Sequence, residues 1–243
     1  MSEIPRIFDV DRLICRRVDY AWPYERDNAL AIRSHWTTRS HQTPSIYDGR
    51  VLLANRFETK SDDLGSFLLL EVFETSFSAF LAWRETGWPD RSVYNCFSMP
   101  AVRSCDGGFL VGEMTTDHSV AGALYFPCGT PDPSDLDRDG GVDLLASLTR
   151  ELAEETGLDA GRGTLAPHWT IVVDGQRIAC VRTIHWPEPS ASLVAEARER
   201  IAAQKQPELA EVHIFATPSE LSDLRLPQYM TAFLSRAFGC VKG

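Results

Sequence analysis

An α/β fold is predicted for this chain: a mixed sheet between helix layers (an α/β/α sandwich), with an N-terminal α+β extension packed against it. Three features predict it. From Ser92 onward, short strand-like runs alternate with helical patterns, the order that yields sheets covered by helices. A turn signal at Asp174-Gly175 separates two apolar strand-like runs and reads as a hairpin. The first hundred residues carry Trp and Phe clusters, and no Pro/Gly/Ser-rich linker lies between Phe57 and Val93, so these clusters need a surface to bury against. The expected division is an extension over residues 1–91 and a sandwich domain over residues 92–243.

The elements follow in order. Ile14–Tyr20 reads as a short strand ended by a turn at Trp22-Pro23. Ala29–Thr38 reads as a helix, with Asn28 as N-cap and Ala29, Ile32 and Trp36 on one side. Asp48-Gly49 marks a turn before a strand over Val51–Phe57, and Leu64–Phe73 is a second strand. Thr75 and Ser76 offer caps for a helix carrying Phe77, Phe80, Leu81 and Trp83, closed at Gly87. Such an apolar cluster is core before it is a ligand site. Strands follow at Val93–Val102, Phe109–Glu113 and Ala123–Phe126, with a turn at Asp106-Gly107-Gly108. A long loop from Gly129 leads to a helix beginning near Leu144. The hairpin then pairs Trp169–Val173 with Arg177–Trp186. A helix over Ser190–Lys205, a buried-type strand over Glu211–Phe215 and two short helices from Ser219 and Pro227 complete the chain.

Composition narrows the function. With 44% hydrophobic and 24% charged residues the chain is ordinary for a globular protein. A net charge of -10 without a basic run gives nucleic-acid binding no electrostatic support. An acidic protein that receives an anionic substrate needs a metal or a local Arg cluster. The six cysteines form no C-x-x-C pair, which argues against zinc and against a disulfide framework. No apolar run reaches membrane-spanning length and the N-terminus lacks a signal-peptide pattern, so a cytoplasmic location with reduced thiols is expected.

The segment most pointed toward chemistry is Arg150-Glu151-Leu152-Ala153-Glu154-Glu155-Thr156-Gly157-Leu158. Leu145, Leu148 and Leu152 form a helical stripe, and Gly157 ends the helix where a left-handed residue is wanted. Glu151, Glu154 and Glu155 fall on an arc beside that stripe. Three carboxylates at a helix C-terminus face the negative end of the dipole, at roughly 0.3–1 kcal/mol each. Two such charges about 6 Å apart repel by roughly 0.7 kcal/mol in water and about 3 kcal/mol at an effective dielectric near 20. Arg150 offsets part of this, and a hard divalent cation with oxygen ligands would offset more. A solvated acidic face is the plain alternative.

This segment resembles the second half of the Nudix box, G-x5-E-x7-R-E-U-x-E-E-x-G-U with U aliphatic, at every specified position from Arg150 to Leu158. The first half departs from the pattern. Gly129, after Tyr125-Phe126-Pro127-Cys128, is the opening glycine, and 20 residues separate it from Arg150 where the pattern has thirteen. Counting back from Arg150 places the box's first glutamate on Val142, with Asp143 beside it; either Asp143 replaces it or the chain dispenses with it. A wider set of positions is similar to the Nudix branch that cleaves UDP-glucose and UDP-galactose. It comprises Trp36, Pro44, Asp48-Gly49, Val51-Leu52-Leu53, Thr75-Ser76-Phe77, Phe80-Leu81, Phe126-Pro127 and Gly129-Thr130.

The resemblance implies a hydrolase that uses Mg²⁺ or Mn²⁺ to cleave a nucleoside diphosphate linked to another group. A nucleotide sugar such as a UDP-hexose leads, giving nucleoside monophosphate and sugar phosphate. It implies Glu151, Glu154, Glu155 and the Gly129 carbonyl as metal ligands, with Glu154 and Glu155 also candidate bases and Arg150 orienting a glutamate. Glu208, just before the strand Val212–Phe215, is the expected additional glutamate, with Glu211 as runner-up. The proline expected of ADP-ribose pyrophosphatases is missing where Val173 and Asp174 stand; the marker tyrosine of dinucleoside polyphosphate enzymes and the coenzyme-A signature are missing too. His168, His185 and His213 lie among apolar residues and read as packed or surface histidines, while Asp117 and His118 occupy a loop with no telling spacing. The expected partner is a small-molecule nucleoside diphosphate derivative, not nucleic acid or membrane, with a homodimer left open. The competing expectation is a weakly active or inactive protein on the same scaffold that binds a nucleotide as sensor or regulator.

Overall fold

The computed structural model describes residues 4–44, 46–115, 122–223 and 225–240. Asp117 and His118 lie outside the described residues. The N-terminal part runs β1 (Arg6–Val10), β2 (Arg12–Arg17), α1 (Pro23–Asp27), α2 (Ala29–Gln42), β3 (Arg50–Asp62), β4 (Gly65–Ser76) and α3 (Phe77–Glu85). There follow β5 (Asn95–Arg103), β6 (Phe109–Met114), β7 (Leu124–Tyr125), α4 (Leu144–Thr156), β8 (Thr164–Leu165), β9 (Trp169–Asp174), β10 (Arg177–His185), α5 (Ser190–Ala202), β11 (Leu209–Phe215) and α6 (Gln228–Ala237).

The main sheet has the order β1-β9-β10-β5-β6-β11, with β7 on β6 and β8 on β10. It is mixed: β10 and β5 run parallel over Arg177–His185 and Asn95–Arg103, while β9 and β10 are antiparallel. Strand alternation assigns its two faces. On β5, Cys96 and Val102 join Leu148 and Leu152 of α4 and Leu193 and Ala197 of α5. Phe97, Met99 and Ala101 point the other way, onto Tyr229, Met230, Phe233 and Leu234 of α6. Helices thus cover both faces, the expected α/β/α sandwich.

The N-terminal elements pack against this core. β2, β4 and β3 form a separate three-stranded sheet. One face of it, Val51, Leu53 and Phe73, meets Trp22, Ile32, Phe80 and Trp83. The other, Leu52, Ala54, Leu68 and Leu70, shares a cluster with Leu148 and Leu152. β1 pairs with β9 at the edge of the main sheet, a strand that lacks a turn signal in the sequence. Two N-terminal readings need correction. Trp22-Pro23 opens α1 rather than a simple turn, since proline at the first helical position has a suitable φ and no N–H to leave unpaired. Asn28 stands at the N-cap of α2, yet its side chain caps nothing and donates to the Tyr24 carbonyl at 2.9 Å. All six cysteines are free, and no helix among the described residues is long and apolar enough to cross a membrane.

Candidate functional site

The site is built on α4. Asp143 caps its N-terminus, accepting from the N–H groups of Leu145 and Ala146 at 3.0 Å each. At the other end Gly157 takes φ 72°, and its N–H reaches the Ala153 carbonyl at 2.9 Å. Gln204 donates to the Glu154 carbonyl at 2.8 Å, satisfying one of the terminal acceptors. The buried stripe is Leu144, Ser147, Leu148, Leu152 and Glu155. Leu145, expected on it, is exposed instead. That small rotation of the helix matters, because it carries Glu155 onto the core side and turns Glu154 toward solvent.

The three box glutamates therefore occupy three environments. Glu155 is 5% exposed, and its Oε1 accepts from the Cys128 N–H at 2.9 Å. Burial holds its carboxyl well above the usual range; the Cys128 N–H opposes this, while the charges of Glu151, Glu208 and Glu154 add to it. The Glu151 side chain is 15% exposed and its pKa is pushed up to about 7, chiefly by burial. Arg150 opposes that rise, and Glu154, Glu208 and Asp135 reinforce it. The Glu154 side chain, 61% exposed, reaches Arg150 at 3.5 Å. Gly129 lies against Glu151: a Cβ there would stand 2.6 Å from Glu151 Oε1. A side chain at 129 would displace the Glu151 carboxylate from this position.

Arg150 organises the outer edge. Its Nη1 lies 3.1 Å from Glu151, and its Nη2 lies 2.8 Å from Asp135, whose side chain is 4% exposed. Counting back from Arg150 misses Asp135, whereas counting forward from Gly129 by the box spacing lands on it. The seven additional residues of the loop therefore come after Asp135. Asp143 does not stand in for the box's first acid; it is engaged as a cap about 18 Å along the helix axis from Glu155. The extra loop docks on the N-terminal sheet, with Arg17 N–H on the Gly140 carbonyl at 2.8 Å and Val142 N–H on the Cys15 carbonyl at 2.9 Å.

Glu208 precedes β11, exposed, and its charge acts on both Glu151 and Glu155. Glu211 is turned elsewhere and binds Arg198 at 2.7 Å. The histidines sit apart: His168 binds Asp11 and His213 binds Glu113, while His185 is exposed at the far end of β10. Among the described residues no three His, Cys, Asp or Glu side chains converge as they stand on a single metal position. Two of the glutamates, Glu151 and Glu154, are engaged by Arg150. The donor set nevertheless fits a hard divalent cation. It is all oxygen, and the buried Glu155 carboxylate accepts a single hydrogen bond among the described residues, well short of its capacity.

No family model matches this chain, and no curated protein matches it. Solved structures do match. A MutT protein from Methanosarcina mazei Go1 is 18% identical, covering 59% of this chain and 92% of that one, at a TM-score of 0.40. A mutT/nudix family protein from Listeria innocua is 20% identical over 60% of this chain and 92% of that one, also at 0.40. RenU, a Nudix hydrolase from M. smegmatis, is 14% identical over 61% and 86%, at 0.37. Likenesses this distant assign neither activity nor substrate. The architecture described above stands on its own as an α/β/α sandwich with a mixed sheet.

Proposed function

We propose that this chain is a Nudix pyrophosphohydrolase dependent on Mg²⁺ or Mn²⁺, and that it cleaves the diphosphate of a nucleoside diphosphate linked to another group. The observation that carries this reading is the burial of the Glu155 carboxylate beside Glu151, against Gly129, on the core stripe of α4. A helix that only needed an apolar stripe would place leucine or alanine there, since a buried carboxylate must be neutralised or paired. Glu151, Glu154, Glu155 and the Gly129 carbonyl would hold the cation. Bound there, it would neutralise diphosphate charge and lower the pKa of water.

The chain's own residues divide the remaining work. Asp135 fixes Arg150, and Arg150 fixes Glu151. Glu208, exposed and in no ion pair among the described residues, would accept the proton of the attacking water as its oxygen bonds to phosphorus and the bridging P–O bond breaks. The products are nucleoside monophosphate and the phosphorylated second group. A nucleotide sugar, most simply a UDP-hexose, is the substrate favoured by the upstream resemblance. Some of those upstream positions are in contact: the Phe77 N–H binds the Gly49 carbonyl at 2.9 Å, and Val51 pairs in register with Thr75.

A second reading, a nucleotide-binding protein without turnover, is favoured by Arg150 standing among the glutamates that a metal would share. One panel separates the two. Nucleoside diphosphate derivatives, nucleotide sugars included, are incubated with Mg²⁺ or Mn²⁺ and monophosphate release is measured. Release from a nucleotide sugar, abolished by EDTA, is expected. Tight binding without release from any compound, under either metal, would establish the second reading.

A further inference from the structure

A pair of arginines beside the glutamate face has no use in the account above. Arg84 ends α3, in the N-terminal extension, and Arg177 begins β10. Among the described residues neither guanidinium makes a hydrogen bond. Arg84 lies over the Phe80 ring at 5.5 Å, and its nearest carboxylate, Glu85, is 3.8 Å away. Glu85 is already taken by His35 at 2.9 Å and Arg39 at 3.2 Å. Arg177 lies over the Trp88 ring at 4.9 Å, with Asp174 at 3.8 Å. The Arg84 and Arg177 side chains are 22% and 37% exposed, and the rings that carry them are joined through Trp83, 6.5 Å from Phe80 and 4.4 Å from Trp88. Ten guanidinium N–H donors, five from each, thus lie in one neighbourhood with no hydrogen-bond acceptor among the described residues.

The pair is held there against its own repulsion. The two charges act on each other, and burial together with Arg177 and Arg39 draws the Arg84 guanidinium below its usual range. Trp88, which supports Arg177, has φ 61°, a strained value for a bulky residue, and is locked by its N–H on the Trp83 carbonyl at 2.9 Å. A chain of neighbours links Arg177 to the glutamates: it pairs in register with Asn95, whose Oδ1 accepts from Thr130 Oγ1 at 3.1 Å, and the preceding residue, Gly129, lies against Glu151. Both arginines also act on Tyr125, as does Cys128, whose N–H holds Glu155.

We propose that Arg84 and Arg177 form an anion subsite that receives a phosphoryl group of the substrate. Two planar forks match phosphate oxygens, and in a chain of net charge -10 they supply local attraction where the glutamates repel. The assignment deepens the diphosphate reading and rests on it: one phosphoryl group sits on the arginines while the bond broken faces the glutamates. The subsite is built by the N-terminal extension and the sandwich together, so the minimal sandwich would lack half of it.

Inorganic pyrophosphate, titrated calorimetrically in EDTA at pH 7.5, tests the subsite without requiring turnover. Wild type is expected to bind, and Arg84→Gln and Arg177→Gln each to weaken binding about tenfold or more. Arg84→Lys should recover part of the affinity, because it keeps the charge and loses the fork. Should Arg84→Gln fail to fold, Arg177→Gln, at a side chain 37% exposed at the start of β10, decides. No binding by wild type would overturn the subsite. So would unchanged affinity in a folded Arg177→Gln, or variants that lower the melting temperature but not the affinity. Arginine-dependent pyrophosphate binding without hydrolysis of any nucleotide would keep the subsite and remove the hydrolase reading. Hydrolysis with KM unchanged in both variants would do the reverse.

Discussion

At the scale of single residues the chain sets charge against burial. Glu155 holds a carboxylate on a core stripe with one N–H for a partner, and burial pushes the Glu151 carboxyl beside it up to about 7. Arg150 offsets the charge of Glu151 at 3.1 Å, while Glu155 has no cationic partner among the described residues. Glu155→Gln keeps the shape and the acceptor for Cys128 N–H while removing the charge. In EDTA at pH 8 it should be more stable than wild type by about 1–2 kcal/mol, read from urea unfolding. With Mn²⁺ and a nucleotide sugar it should lose turnover by roughly a hundredfold or more, with KM changed far less, because the lost group acts in the transition state. A variant less stable in EDTA and fully active would remove Glu155 from the site.

At the scale of elements, α4 is held at both ends, and its C-terminus carries the glutamates of the proposed site. Gly157 is doubly constrained: φ is 72°, and a Cβ would lie 2.7 Å from Arg200 Cβ on α5. Gly157→Ala should therefore cost about 2 kcal/mol, a melting shift of roughly 4–8 °C. Gly175, at φ 56° in the β9–β10 turn with open space around it, is the control. Gly175→Ala should cost about 1 kcal/mol, from backbone strain alone. Equal shifts in the two variants would show that α5 yields freely and does not set the position of the helix end. The inserted loop also has a structural job, since Gly140–Val142 pairs with the free edge of β2 and joins the box to the N-terminal sheet.

Across the whole molecule, pH and metal should act against each other. The raised carboxyls stay protonated in the folded chain at pH values where the unfolded chain has lost those protons. Their stabilising contribution is fully present below about pH 4.5 and is lost as pH rises through about 7 for Glu151, and higher for Glu155. Carboxyls held low by partners, such as Asp106 at about 2, act in the opposite sense and only in more acid solution. In EDTA the melting temperature should consequently fall between pH 5 and 8. Saturating Mn²⁺ should flatten that fall, because a bound cation favours the ionised carboxylates. A melting temperature that rises over this window in EDTA would show that neither glutamate is desolvated as described.

Much was legible in the sequence. Alternation and turn signals yield β3 to β6, the β9–β10 hairpin and α3 to α6, because period and punctuation are local properties of the chain. The R-E-L-A-E-E-T-G-L spacing likewise places Arg150, Glu151 and Glu155 on one helix end, since three residues of an arc are set by 100° per residue. Tertiary structure decided what pattern leaves open. β1 is an edge strand with no turn of its own, recognisable only by its partner β9. Asp135, and not Asp143, meets Arg150, because an insertion shifts one end of a count and only a fold shows which. Leu144 rather than Leu145 faces inward, a rotation set by the packed core against α4. Arg84 and Arg177 stand 93 positions apart in the chain and come within reach of each other's charge only in the fold. Spacing along a helix is intrinsic to the backbone, whereas burial, and with it the pKa of each glutamate, depends on what the rest of the chain lays on top.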